Sequence, residues 1–187
     1  VVFGKTDATA IDLAALGSGG FVINGQGASD QSGISVSSAG DVNGDGLADL
    51  IVGANLSDPA TGADAGRSYV VFGKTGTTAI DLAALGSGGF VINGQCAGDY
   101  SGYSVSSAGD VTGDGLADLI VGAYFSDPAT GADAGRSYVV FGKTDATPID
   151  LAAVAAGSGG FVINGQDASD QSGISVSSAG DVNGDGL

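Results

Sequence analysis

ISVSSAGDVNGDGLADLIVGA, residues 34–54, reads as two short strands joined by a bend crowded with acids. ISVSSAGDV (34–42) and LIVGA (50–54) are of strand length, rich in Val and Ile, and bounded by turn residues. Between them DVNGDGLAD (41–49) sets Asp41, Asn43, Asp45 and Asp49 around Gly44 and Gly46. Carboxylates this close repel by about 1 kcal/mol per pair at 4 Å even in water. The arrangement therefore calls for a neutralising cation or for full solvation of a plain Asx-turn hairpin. It returns as DVTGDGLAD at 110–118 and as DVNGDGL at 181–187.

Working outward, the whole chain is periodic. VVFGKT stands at 1–6, 70–75 and 139–144, and GDVxGDGL begins at Gly40, Gly109 and Gly180. The extra residues of the last interval fall near Ala152–Ala156. Such self-similarity marks a repeat architecture built by duplication. SYVVFG (68–73) and FVING (90–94) supply a third and fourth strand per period, and DPATGADAG (58–66) is turn chemistry throughout. AIDLAAL (79–85) is too short for a stable helix alone and is expected to be a loop with one helical turn.

Strand alternation is expected to put Leu50, Val52 and Ala54 on one face with Val70 and Phe72, and Ile51 and Gly53 on the other with Tyr69, Val71 and Gly73. Neither face is polar, so each sheet should be covered on both sides. The first strand is nearly all small residues, Ser35, Ser37, Ser38, Ala39 and Gly40, as if it ran through a crowded place. Four-stranded sheets stacked about an axis, with small-residue strands innermost, make a β-propeller. The rival is a stacked solenoid or fibre, for which this period is long. The expected fold class is all-β: propeller blades of four antiparallel strands, present here as a partial propeller. The divisions are 1–33, the C-terminal half of a blade with a linker; 34–102 and 103–173, one blade each; and 174–187, the first strand and truncated loop of a further blade. Opening and closing in mid-pattern, the chain reads as an internal piece of a longer one.

Lys and Arg number 5 against 21 acids, for a net charge of −16, and every acid is Asp. That balance argues against nucleic acid and anionic membrane as partners, since both require a basic face. No apolar run reaches the ~20 residues of a membrane span. Without His or Glu the chain lacks the usual general bases, and no nucleophile–base pair is visible, so an enzyme is not expected. The single cysteine, Cys96, aligns with Gly27 and Asp167 and is given no role. Arg67 and Arg136 are expected to pair with nearby Asp on the surface, and Asp58 and Asp64 to form turns.

In the bend the ligand-bearing positions are 1, 3, 5 and 9, with a backbone carbonyl at 7. The first loop offers Asp41, Asn43, Asp45, the Leu47 carbonyl and Asp49. The second offers Asp110, Thr112, Asp114, the Leu116 carbonyl and Asp118, with Thr112 giving weaker binding. The third offers Asp181, Asn183 and Asp185, and the sequence stops at Leu187 before position 9. Oxygen-only ligation is hard-cation chemistry and points to Ca²⁺, with Mg²⁺ the weaker fit because it demands strict octahedral geometry. An EF-hand is excluded, because position 12 is Val52 and strands flank the loop. A bound ion would shut the hairpin tip and fix the register of the first two strands.

These residues resemble the FG-GAP repeats of integrin α-subunit propellers and their bacterial relatives. Phe72-Gly73 and Phe141-Gly142 match the FG element, and Val52-Gly53-Ala54 and Val121-Gly122-Ala123 match the second element. Asn55 and Tyr124 stand where that element has proline. Between the elements lies the family's calcium loop, matched at Asp41 to Asp49 and at Asp110 to Asp118. The resemblance implies a seven-bladed ring, completed by further chain or by association of copies, in a secreted or cell-surface molecule.

Three functions remain open at this point. The first is a Ca²⁺-stabilised extracellular interaction or adhesion module whose loops at 55–66, 96–103 and 124–135 meet a surface protein or glycan. The second is a structural repeat of a surface layer or filament. The third is a glycan-binding lectin. Tyr100, Tyr103, Tyr124 and Phe125 set the second blade apart, where the first has Gln31, Ile34, Asn55 and Leu56. They are either a contact patch or rim packing.

Overall fold

The computed structural model describes residues 1–186. Its strands are β1 (Ile23–Asn24), β2 (Val36–Gly40), β3 (Asp49–Ala54), β4 (Arg67–Val71), β5 (Ile80–Asp81), β6 (Gly89–Asn93), β7 (Ser104–Gly109), β8 (Asp118–Ala123), β9 (Arg136–Val140), β10 (Ile149–Asp150) and β11 (Gly160–Asn164). Helix is limited to α1 (Leu151–Ala155) and short 3₁₀ turns. The strands β2, β3, β4 and β6 form one antiparallel sheet, and β7, β8, β9 and β11 form a second with the same order. These are two propeller blades, and the sheets do not close into a ring.

Register corrects the expected faces. Leu50 lies opposite Val71 and Val52 opposite Tyr69, so Leu50, Val52 and Ala54 share their face with Tyr69 and Val71, while Ile51 shares its face with Val70. The hairpin starts at the pair Ala54–Arg67, and that offset of one exchanges the partner set. Both faces are nonetheless covered. Ile51, Val70 and Phe90 pack with Val105, Leu119, Val121 and Tyr138 of the second blade. Val52, Tyr69 and Val71 pack with Leu82 and, across from the preceding blade, Ile23.

The third strand of the blade ends at Val71 rather than Gly73. The Gly73 amide leaves the ladder and donates instead to the Asp49 carboxylate, 2.7 Å away. AIDLAAL is more than a loop. Its first part, β5, pairs in parallel with β1, and in the next copy β10 pairs in parallel with β6, Ile149 opposite Ile92. Each repeat thus lays a two-residue strand along the outer edge of the blade before it, which pairs an edge that would otherwise be open. Asp81 then caps the following 3₁₀ turn by accepting the Ala83 amide. In the last copy the longer alanine stretch winds that turn into α1, burying Leu151 and Val154.

The small residues of the first strand meet as expected. The Val105 amide donates to Ser35 Oγ at 3.1 Å, joining the entry of one blade's inner strand to the next. A Cβ placed on Gly53 would come within 1.9 Å of the Gly102 carbonyl oxygen, and one on Gly122 within 1.9 Å of that of Gly173. Only glycine lets the backbone that leads into the next repeat press onto the blade there. That close approach is the reason for the glycine in Val52-Gly53-Ala54 and Val121-Gly122-Ala123.

Candidate functional site

Each acid-rich bend joins the inner strand of a blade to the next strand, and each is organised by its first aspartate. Asp41 accepts the amides of Gly44 at 2.8 Å and Asp45 at 3.1 Å on Oδ1, and that of Gly46 at 2.9 Å on Oδ2. Gly44 and Gly46 both have positive φ, which turns their amides inward onto that carboxylate. Asn43 and Asp45 are joined by two bonds, Nδ2 to Oδ2 at 3.0 Å and the Asp45 amide to Asn43 Oδ1 at 2.8 Å. Asp45 Oδ1 accepts the Leu47 amide at 2.8 Å.

The second bend repeats this frame. Asp110 accepts the amides of Gly113, Asp114 and Gly115, and Asp114 accepts that of Leu116. Thr112 turns its hydroxyl to Asp110 Oδ1 at 3.3 Å, so the Asn43–Asp45 link has no counterpart. Those amide bonds, led by Gly115, hold the Asp110 carboxyl below the usual carboxylate range. The third bend keeps the same bonds from Gly184, Asp185 and Gly186 to Asp181, and Asn183 donates to Asp185 at 2.7 Å. Leu187 lies outside the described residues.

Position 9 has a second task that its spacing did not reveal. Asp49 is fully buried; Oδ2 accepts the Val42 amide at 2.8 Å and Oδ1 the Gly73 amide. Asp118 does the same with Val111 and Gly142, both at 2.8 Å. The carboxylate at position 9 therefore ties the bend to the FG glycine, 24 residues further along the chain. Burial pushes both carboxyls up; the two amide bonds oppose this, and the neighbouring loop aspartates add to it. Neither forms an ion pair with Lys or Arg among the described residues.

The donor set fits a hard cation: carboxylate, amide and hydroxyl oxygens, and an ionised carboxylate has lone pairs beyond the two or three its amide bonds use. As folded, the bends are closed by their own hydrogen bonds. No group of three or more His, Cys, Asp or Glu side chains is arranged to hold a metal ion among the described residues.

At its opposite end the same hairpin carries Tyr103 before β7 and Tyr124 and Phe125 after β8. Tyr124 lies 4.6 Å from Tyr103 and 4.3 Å from Phe125, centroid to centroid, and Tyr100 completes the group. All four rings are half-buried.

A family model described as FG-GAP repeat matches residues 32–71 and 101–140. The chain carries two FG-GAP repeats. Each matched FG-GAP span holds the first three strands of a blade and its bend, and the fourth strands lie beyond it. No curated protein matches the chain.

Two features of the FG-GAP frame escaped sequence reasoning. Arg67 and Arg136 do not pair with Asp side chains: Arg67 donates to Asn93 at 3.1 Å and Gln26 at 2.9 Å, and Arg136 to Asn164 at 3.1 Å and Gln95 at 2.8 Å. Gln95 also accepts the Tyr138 hydroxyl at 2.7 Å, and Gln26 that of Tyr69. The glutamines of the first two Asn-Gly-Gln turns thus each satisfy a buried tyrosine and an arginine of the following blade. Lys74, next to the FG glycine, sits 4.7 Å from the Phe21 ring, and Lys143 sits 5.1 Å from Phe90. Asp58 is a turn former, accepting the Asp64 amide at 2.8 Å.

Proposed function

We propose that the chain is a calcium-binding, non-enzymatic interaction module of a secreted or cell-surface FG-GAP protein. The observation that carries the calcium reading is the recurrence of one folded bend. Three exposed carboxylate-bearing tips share one hydrogen-bond frame, and the two complete bends each stand beside a buried carboxylate without a cationic side chain. Asp41, Asn43, Asp45, the Leu47 carbonyl and Asp49 would hold the ion in the first loop. Asp110, Thr112, Asp114, the Leu116 carbonyl and Asp118 would hold it in the second. The ion supplies positive charge that offsets the repulsion of the aspartates and the burial of position 9. The chain's own part is to orient the donors: glycines bend the tip, and the FG glycine amide fixes the position-9 carboxylate.

An extracellular setting agrees with the acidic composition, and no helix among the described residues is long and apolar enough to cross a membrane. The parallel β10–β6 clasp favours a structural repeat as the second reading, because it lets one blade be added to the next without limit. Thermal unfolding with calcium and with excess chelator tests the calcium reading. A site at ten times its Kd adds about 1.4 kcal/mol, and at a hundred times about 2.7 kcal/mol, so the Tm should fall by several degrees on chelation. An unchanged melting curve contradicts it.

A further inference from the structure

We propose that the first and second bends bind calcium cooperatively, coupled by two lines of backbone hydrogen bonds that cross between the blades. This rests on the calcium reading of the bends and goes on to how the two loops act on each other.

The two bends touch. A Cβ on Gly40 would come within 2.5 Å of the Ala117 side chain, and one on Gly44 within 3.1 Å of Leu116 Cδ2. Across that contact the Ala117 amide donates to the Asp41 carbonyl at 2.9 Å. Each end of this bond belongs to a peptide unit with a second duty. The unit that carries the Ala117 N–H also carries the Leu116 carbonyl, the position-7 donor of the second loop. The unit that carries the Asp41 carbonyl also carries the Val42 N–H, which donates to Asp49 Oδ2 at 2.8 Å. A trans peptide is planar, so its N–H and C=O are aimed together, to opposite sides. Two rigid planes thus join the position-9 carboxylate of the first loop to the position-7 carbonyl of the second.

A second line runs beside the first. The Val42 carbonyl accepts the Lys143 amide at 3.0 Å. Lys143 follows Gly142, whose amide holds Asp118 at 2.8 Å. This line ends on the position-9 carboxylate of the second loop, and the fully buried Val42 takes part in both. The shared bonds set the sign of the coupling. Fixing the donors of one loop also fixes the peptide planes that aim donors of the other, so the ordering entropy is lost once for two sites. Repulsion between two bound divalent ions works against this, and it is screened over about 8 Å at 0.15 M salt. Ordering should therefore prevail at that ionic strength, and the coupling should not weaken when salt is raised.

The test is a titration of the chain with calcium chloride at about 0.15 M salt. The amide resonances of Gly44 and Gly46 report the first bend, and those of Gly113 and Gly115 the second. Every chain carries D181N, to keep the third bend empty. D45N disables the first loop and D114N the second, and each asparagine keeps an oxygen for the amide of Leu47 or Leu116. The first loop should bind about fivefold more tightly in the chain with both loops than in D114N, and the second should lose the same factor in D45N, because coupling is reciprocal. A117P removes the amide that crosses to Asp41; in that background both factors should fall to about one while each loop still binds. A48P is its control and should keep both factors, since the Ala48 amide has no hydrogen-bond partner among the described residues. Affinities that ignore the neighbouring loop, factors that differ, weaker binding beside a filled loop, or factors that survive A117P would overturn the proposal. If A117P does not fold, as its Tm will show, the reciprocity of D45N and D114N and its persistence at about 0.5 M salt decide the matter. Saturable shifts with independent affinities would sink the coupling alone, whereas no shift in any chain would sink the calcium reading with it.

Discussion

The two ends of the β7–β8 hairpin have different histories. At the acid-rich end, residues 110–118 differ from 41–49 only at Thr112, and the bend keeps the same amide-to-carboxylate frame. At the other end four positions have become aromatic while the strands between did not change register. The difference teaches which end the blade depends on. The acid-rich end is wired into the sheet through Asp118, which joins Val111 to Gly142. At the aromatic end the bonds that both blades keep run through the backbone and through Ser57 or Ser126, not through the four substituted side chains, so those positions are free to vary.

The strongest way to break this comparison is Asp118→Ala. It strands two inward-facing amides, at a cost of about 3 kcal/mol, readable by urea unfolding in chelator. Asp118→Asn keeps an oxygen for one amide and removes a charge whose burial is unfavourable, and should cost about 1 kcal/mol under the same conditions. Equal losses would mean that charge, rather than the amide bonds, holds the bend. Next in size, Thr112→Asn should bring the second loop's calcium affinity up severalfold toward that of the first, as seen by calorimetry. No change would remove the assigned difference between Asn and Thr at position 3. Reverting the four aromatic residues should alter stability by no more than about 0.5 kcal/mol; a cooperative loss of several times that would make them core.

The smallest effect concerns Asp99, at the aromatic end. Burial pushes its carboxyl above the ordinary value of 3.8, against the pull of the Cys96 amide. A folded pKa above the unfolded one means that the folded state takes up the proton more readily. The stabilisation is full below the unfolded pKa and is lost as pH rises through the folded pKa. Asp99→Asn, neutral throughout, should therefore show a flatter stability profile as pH rises from 3.8. Parallel profiles for the two chains would show that Asp99 is not the group responsible.

What the sequence disclosed was local. Repeat length, strand–turn–strand order and the 1, 3, 5, 9 spacing lie within short windows, and so does the role of Gly44 and Gly46 in the bend. What it hid depends on distant partners. The face-sharing of Val52 with Tyr69 is fixed by the Ala54–Arg67 offset, which alternation alone does not set. The pairing of Ile149 with Ile92 crosses from one repeat to the preceding one. Gln95 reaches Tyr138 from 43 residues away, and no periodicity marks a glutamine for that contact. The position-9 aspartate was legible as an oxygen donor but not as the link to the FG glycine, because its partner lies two strands later.

The most direct test of the account is calorimetric titration of the chain with calcium at neutral pH, alongside the triple variant Asp41→Asn, Asp110→Asn, Asp181→Asn. The account expects saturable binding by the unaltered chain, lost in the variant, with a rise in Tm that follows occupancy. Absence of saturable heat in the unaltered chain, with one Tm in calcium and in chelator, would contradict it.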